Sequence, residues 1–300
     1  MRTAFKLLPL VFAACLLLPA ARLRAADDLK LRSTLDRVYL EWRGAVITRN
    51  MEAWKRYTTG YRQMVSRNLI VSQGQPYPEA IFDLPVAPPE ILKLKLLEAE
   101  AVGPTAHLVY FGKVDLGLGV TGEKLPNNLL VLKFLNETGE WRFDSSKFIN
   151  LNDSPDIRKA CEEGHPDFLK DPPFNPPGVL PVIPKPCARP EKVAALRIEA
   201  VGYEVKARIN GYDYPVVADN AEQQVIIGGL ARGDNDLLLD IKPIPAAKNE
   251  DRILNVQAIM YTGDPKHPTV KVFDWTPRYH PAEPNVKLNM SLNNVTMKGI

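Results

Sequence analysis

Residues 194–216 read AALRIEAVGYEVKARINGYDYPV, and this stretch decides the C-terminal half of the chain. Leu196, Ile198 and Ala200 alternate with Arg197 and Glu199, and Val205, Ala207 and Ile209 alternate with Lys206 and Arg208. A period of two puts one set of side chains on a buried face, as in a half-buried strand. Asn210 and Gly211 tolerate the positive φ that a two-residue hairpin turn requires, and Tyr212, Tyr214 and Val216 resume the alternation. Outward from this hairpin, residues 223–227, 236–241, 253–260, 270–275 and 286–292 read as further strands. Seven or so short strands predict an all-β sandwich over residues 191–300. Asp234-Asn235-Asp236 offers oxygen ligands for calcium, but the ligand ladder of an EF-hand is missing and a turn entering a strand explains the same residues.

The N-terminal half has a different period. Leu31, Leu35, Val38, Trp42, Ala45 and Val46 recur at helical spacing, so residues 28–48 form an amphipathic helix. Asn50 caps a short second helix carrying Trp54 and Tyr57, and residues 61–70 fit a third. The period then becomes two: Leu92, Leu94 and Leu96 alternate with lysines, and 107–114 is a β-rich run. Residues 129–135 and 141–148 flank Asn136-Glu137-Thr138-Gly139, a hairpin loop. Helices followed by about four antiparallel strands predict an α+β domain over 27–154, with helices packed on one face of a curved sheet.

Between the halves, nine prolines from Pro166 to Pro190 deny the backbone a continuous ladder, so 155–190 reads as an extended linker. Cys161 and Cys187 lie within it, with most of these prolines between them. In an oxidising compartment the favoured reading is a disulfide closing a loop of 26 positions, worth roughly 3 kcal/mol, over two free thiols or a metal pair for which only His165 is near.

The compartment follows from the first residues. Arg2 and Lys6 precede an uncharged apolar run at 7–20, too short for the roughly 20 residues of a bilayer span, and small residues follow at Ala25 and Ala26. This order predicts a signal peptide over 1–25 and a periplasmic or secreted protein. A rival reading acylates Cys15 as a lipoprotein anchor. Cleavage removes Arg2, Lys6, Arg22 and Arg24, leaving 34 basic against 35 acidic side chains, so the formal charge moves from +3 to −1. The mature chain lacks the basic field that nucleic-acid binding requires. No later segment is long and apolar enough to span a membrane.

The order of a long helix ending near Trp42, a short helix at 50–57, and the closing strands LLVLKF and EWRFDSSKFINL with Trp141 after the turn resembles the NTF2-like, cystatin-like α+β cone over residues 28–151. That family includes isomerases, dehydratases and non-catalytic binding domains, so the resemblance implies a scaffold rather than a reaction. The run INGYDYPV, continued by VIIGGLARGDNDLLLDI, is similar to galactose-binding-like and immunoglobulin-like modules of exported proteins.

The resemblance directs attention to a pocket acid or base. His107 and Asp115 share strand parity, but eight positions separate them by roughly 26 Å, so they do not form a dyad. Trp42, Trp54, Tyr57 and Tyr110 could line a pocket or simply build a core; Trp275 and Tyr279, in FDWTPRYH at 273–280, could form a carbohydrate or partner face. Candidate ligand-binding residues are therefore Trp42, Tyr57, His107, Tyr110, Trp275 and Tyr279. No cofactor and no metal ligands are assigned, and Gly-x-Ser-x-Gly, His-Glu-x-x-His and phosphate-loop motifs are absent. The expected function is an exported, non-catalytic binding or assembly protein for an apolar or carbohydrate ligand or a protein partner, with homodimerisation open. The alternative is an NTF2-like isomerase or dehydratase using a single general base.

Overall fold

A computed structural model describes residues 19–115, 125–164, 166–170 and 174–292, with side chains from Leu29 onward. Residues 1–18 of the expected signal, with Cys15, and His165 in the proline-rich stretch, lie outside the described residues. The chain divides into two compact units, Met1–Thr59 with Pro85–Pro181, and Gly60–Leu84 with Val182–Ile300. No helix among the described residues is long and apolar enough to cross a membrane.

The first unit contains helices α1 (Pro19–Ile47) and α2 (Met51–Tyr57). Asn50 Oδ1 accepts from Ala53 N at 3.0 Å and so starts α2. Strands β1 (Lys95–Val102), β2 (Thr105–Lys113), β3 (Asn127–Glu137) and β4 (Glu140–Asn150) form an antiparallel meander in sequence order. Residues 91–93, read as alternating, instead make a 3-10 turn that leaves Leu92 exposed.

The sheet is covered on both faces. Leu108, Tyr110, Leu130, Leu132, Phe134 and Phe143 pack with Leu35, Val38 and Tyr39 of α1. On the opposite face Val109, Phe111, Leu129 and Val131 pack with Cys161 and Leu169. This corrects the expectation of helices on one face only. The second cover is a helix followed by a 3-10 turn at Asp167–Lys170, both inside the segment expected to be a linker. The helix spans Pro155–Glu163, between the third helix of the chain and the later strands. Pro155 occupies its first turn and Gly164, with φ 85°, closes it in the left-handed region. Those two residues are ordinary helix punctuation, outweighed in the sequence by the prolines that follow.

The second unit begins with α3 (Gly60–Ser72), which makes the Pro155–Glu163 helix α4. Its strands are β5 (Ala194–Val201), β6 (Tyr203–Ile209), β7 (Tyr212–Asp213), β8 (Val217–Ala218), β9 (Ala221–Val225), β10 (Gly233–Pro243), β11 (Ile253–Tyr261), β12 (Thr269–Trp275) and β13 (Asn285–Leu292). One sheet runs β13-β10-β6-β7, with β8 also on β6, and the other runs β12-β11-β5-β9. The apolar residues of both sheets belong to a single buried cluster. The Asn210-Gly211 turn forms with φ of 48° and 84°, as a two-residue hairpin demands. After Pro215 the alternation slips by one, burying Tyr214 and Val217 and exposing Val216.

Helix α3 holds the proline-rich segment ahead of β5. Asn68, fully buried, accepts from Cys187 N at 2.9 Å and donates to Lys185 O at 2.8 Å. Ser72 Oγ donates to Asn68 O and accepts from Gly228 N at 2.8 Å. Gly229 has φ 66°, and a Cβ there would meet Lys192 O at 2.3 Å, so this glycine lets the β9–β10 connection approach residues 190–192.

The expected Cys161–Cys187 bridge is not formed; both cysteines are buried free thiols, one in each unit. Cys161 points from α4 into the core, where burial pushes its thiol pKa up, and Cys187 Sγ lies 3.6 Å from Ser72 Oγ. A thiol held protonated in an apolar core is a poor nucleophile. In a chain lacking residues 1–25, a thiol reagent should count two free sulfhydryls after unfolding and essentially none before; a count of zero after unfolding would restore the disulfide. Asn68→Ala strips partners from a buried N–H and C=O and should lower stability in urea by about 1–3 kcal/mol.

Candidate functional site

Residues 95–102 read KLLEAEAV and pair with TAHLVYFGK at 105–113 across the Gly103-Pro104 turn. The register sets Glu100 directly opposite His107, and a shift between Leu96 and Glu98 places Glu98 opposite Val109. Opposed residues of a hairpin share a face, so two carboxylates and an imidazole converge. A bulge of this kind re-aims the side chains beside it. His107 Nε2 lies 3.0 Å from Glu98 Oε2, and ligand atoms of Glu98, Glu100 and His107 all fall within 4.8 Å of one another. The His107 side chain is 3% exposed and that of Glu98 25%, so the imidazole is the floor and the carboxylates the rim. Thr105, on the same face as His107, accepts from Gly178 N at 2.9 Å, which ties the proline-rich segment across this end of the hairpin.

His107 is legible in the sequence as a single candidate base, without Glu98 and Glu100 beside it. Asp115 is exposed beyond the end of β2, whereas the neighbours of His107 come from β1. The signal was Glu-x-Glu ahead of a tight turn and a histidine. Converting it into proximity requires the hairpin register, which the alternation of 92–96 misplaces.

The aromatic candidates of this unit go to packing. The Trp42 ring centroid is 4.1 Å from Phe143 and 5.6 Å from Tyr39, and Trp54 is buried with Tyr57 half-buried at the end of α2. Tyr110 is buried and donates its hydroxyl hydrogen bond to Asp36, which also pairs with Arg32 at 3.5 Å. Burial first, and then the Asp36 carboxylate, raise the Tyr110 phenol far above its ordinary pKa; burial does the same to Tyr39.

In the second unit Asn235 is fully buried, accepting from Ala231 N at 2.9 Å and donating to Met290 O at 3.2 Å. Asp234, Asn235 and Asp236 open β10, and the Asn235 side chain ties the bend at Ala231 to the strand. Phe273 and Trp275 pack on the core, while Tyr279 is 81% exposed. His280 Nδ1 lies 2.7 Å from the Tyr203 hydroxyl, which also accepts from Ala282 N. The eight residues 273–280 thus divide between core and loop rather than presenting one aromatic face. A cleft of about 560 Å³ opens elsewhere, lined by Gln73 and Gln75 after α3, Glu191, Lys192, and Tyr261 and Thr262 at the end of β11. Tyr261 is 42% exposed, and its hydroxyl accepts from Gln223 Nε2 at 3.2 Å. Sequence reasoning missed this cleft, because its residues are scattered from 73 to 263 and no local pattern marks them.

Comparison with protein-family models, with curated proteins and with solved structures finds no match to this chain.

A raised tyrosine pKa stabilises the fold fully below the ordinary value of about 10, and that contribution is lost as pH rises above it, because the unfolded chain ionises first. Alkaline titration followed at 295 nm should therefore show Tyr39 and Tyr110 ionising only together with loss of the far-ultraviolet CD signal. Tyr110→Phe should cost about 1.5–3 kcal/mol of stability near pH 7, as expected for a hydrogen bond to a charged group.

Proposed function

We propose that this chain is an exported, non-catalytic binding protein whose β-sandwich unit holds a polyhydroxylated, carbohydrate-like ligand in the cleft beside Tyr261. The observation that carries this reading is the chemistry of that cleft. Its volume of about 560 Å³ is in the range of small-molecule sites, roughly 300–1,000 Å³. Most such sites are apolar, yet this one carries the amides of Gln73 and Gln75, the Glu191 carboxylate, the Lys192 ammonium and the Thr262 hydroxyl. Amides both donate and accept, which suits a ligand whose every hydroxyl does the same. The half-exposed Tyr261 ring adds a flat apolar surface for the C–H face of a sugar ring.

The same lining argues against hydrolysis. Among the described lining residues Glu191 is the single carboxylate, and its Oε2 accepts from Arg232 N at 3.3 Å. Cleavage of a glycosidic bond ordinarily calls for two carboxyl groups flanking it. In this reading the first unit is an NTF2-like scaffold for assembly or presentation. Its support is the order of two helices and a four-stranded antiparallel meander, with the aromatic candidates committed to the core. The signal-like N-terminus supports an extracytoplasmic site of action.

Screening the chain without residues 1–25 on a glycan array, followed by calorimetry with the best oligosaccharide, tests the reading. Tyr261→Ala should weaken binding about tenfold, or 1.4 kcal/mol, and Gln73→Ala should weaken it in the same direction. Absence of any glycan binding, or binding indifferent to Tyr261→Ala, would overturn it.

A further inference from the structure

We propose that Glu98, Glu100 and His107 form a binding site for a divalent transition-metal cation of the zinc type. The β1–β2 register brings these donors together. Their ligand atoms lie within 4.8 Å of one another. Two atoms bonded to zinc at about 2.0–2.2 Å sit roughly 3.4 Å apart in a tetrahedron. The His107 Nε2 to Glu98 Oε2 separation of 3.0 Å is already close to that spacing. Closing the site on a cation therefore asks for side-chain rotation of Glu100 and no change in the strands.

Charge and bonding point the same way. Two carboxylates share one imidazole, and Glu98 is the one that pairs with it. Among the described residues the Glu100 carboxylate makes no hydrogen bond or ion pair, although it faces the cluster. The neighbouring cations do not fill this role. Lys170, within electrostatic reach of Glu98, is bonded to Asp167 at 2.9 Å, and Lys133, in register with His107 on β3, is exposed. Lys95, at the start of β1, donates to the carbonyls of Cys161 and Glu162 at the end of α4.

Donor type selects the cation. One imidazole nitrogen with two carboxylates suits zinc and its first-row neighbours, whereas calcium and magnesium prefer all-oxygen shells. Three protein ligands leave a coordination position for water or a donor atom from a partner. The buried floor and carboxylate rim allow that position to open outward.

Zinc titration by calorimetry on the untagged chain lacking residues 1–25, freed of metal with EDTA, tests the site. One saturable zinc per chain is expected, and Glu100→Gln should weaken it by at least about tenfold. Asp264 and His267 form a second histidine–carboxylate pair among the described residues, exposed at 3.2 Å, so His267→Ala serves as the control and should leave binding unchanged. Glu100 is only half-buried, so its variant should keep the wild-type CD spectrum. X-ray absorption on the zinc-loaded wild type should show a single imidazole among oxygen donors, which keeps the test sound if His107→Gln fails to fold. No saturable zinc uptake, uptake lost in His267→Ala, or uptake unaffected by Glu100→Gln would each overturn the assignment.

Discussion

Burial of β2 and β3 on both faces is the constraint from which the first unit follows. Every residue from Thr105 to Phe111 is buried, so β2 cannot alternate between core and solvent. Leu108 and Tyr110 need α1 on one side, and Val109 and Phe111 need α4 and Leu169 on the other. Without the second cover, the face carrying Val109, Phe111, Leu129 and Val131 would present a contiguous apolar patch to water. The helix and 3-10 turn within the proline-rich region are thus part of the core and not a spacer. The same two-sided burial accounts for the state of Cys161, whose thiol is a core atom.

Polar anchoring organises the second unit in a comparable way. A proline-rich segment has few N–H groups to offer a sheet, yet its carbonyls and remaining amides still need partners. Asn68 supplies both kinds of group at once, to Lys185 and Cys187. Helix α3 is far from residue 187 in sequence, yet it belongs to this unit because of such bonds. Gly229 completes the arrangement by admitting a backbone approach that a side chain would block.

Both candidate sites sit on these packed frames but draw on different chemistry. The glutamate–histidine group is made by strand register, with rigid spacing and few donors. The Tyr261 cleft is made by loop and strand ends, with many hydrogen-bonding groups and an open mouth. Rigid convergence suits a cation, and dispersed amides suit a ligand bearing many hydroxyls.

Local patterns decided a good deal. The Asn210-Gly211 hairpin, the strands near 236–241, 253–260, 270–275 and 286–292, the amphipathic first helix and the Asn50 cap all follow from periodicity and turn chemistry confined to a few neighbouring residues. Tertiary structure alone decided which segments share a core, that α4 lies within an expected linker, that Cys161 and Cys187 are free thiols, and that His107 meets Glu98 and Glu100. The reason is physical: propensity and period act over one or two turns of chain. Which faces meet, and which distant carboxylate approaches a given imidazole, is set by burying apolar area and satisfying buried polar groups across the whole unit.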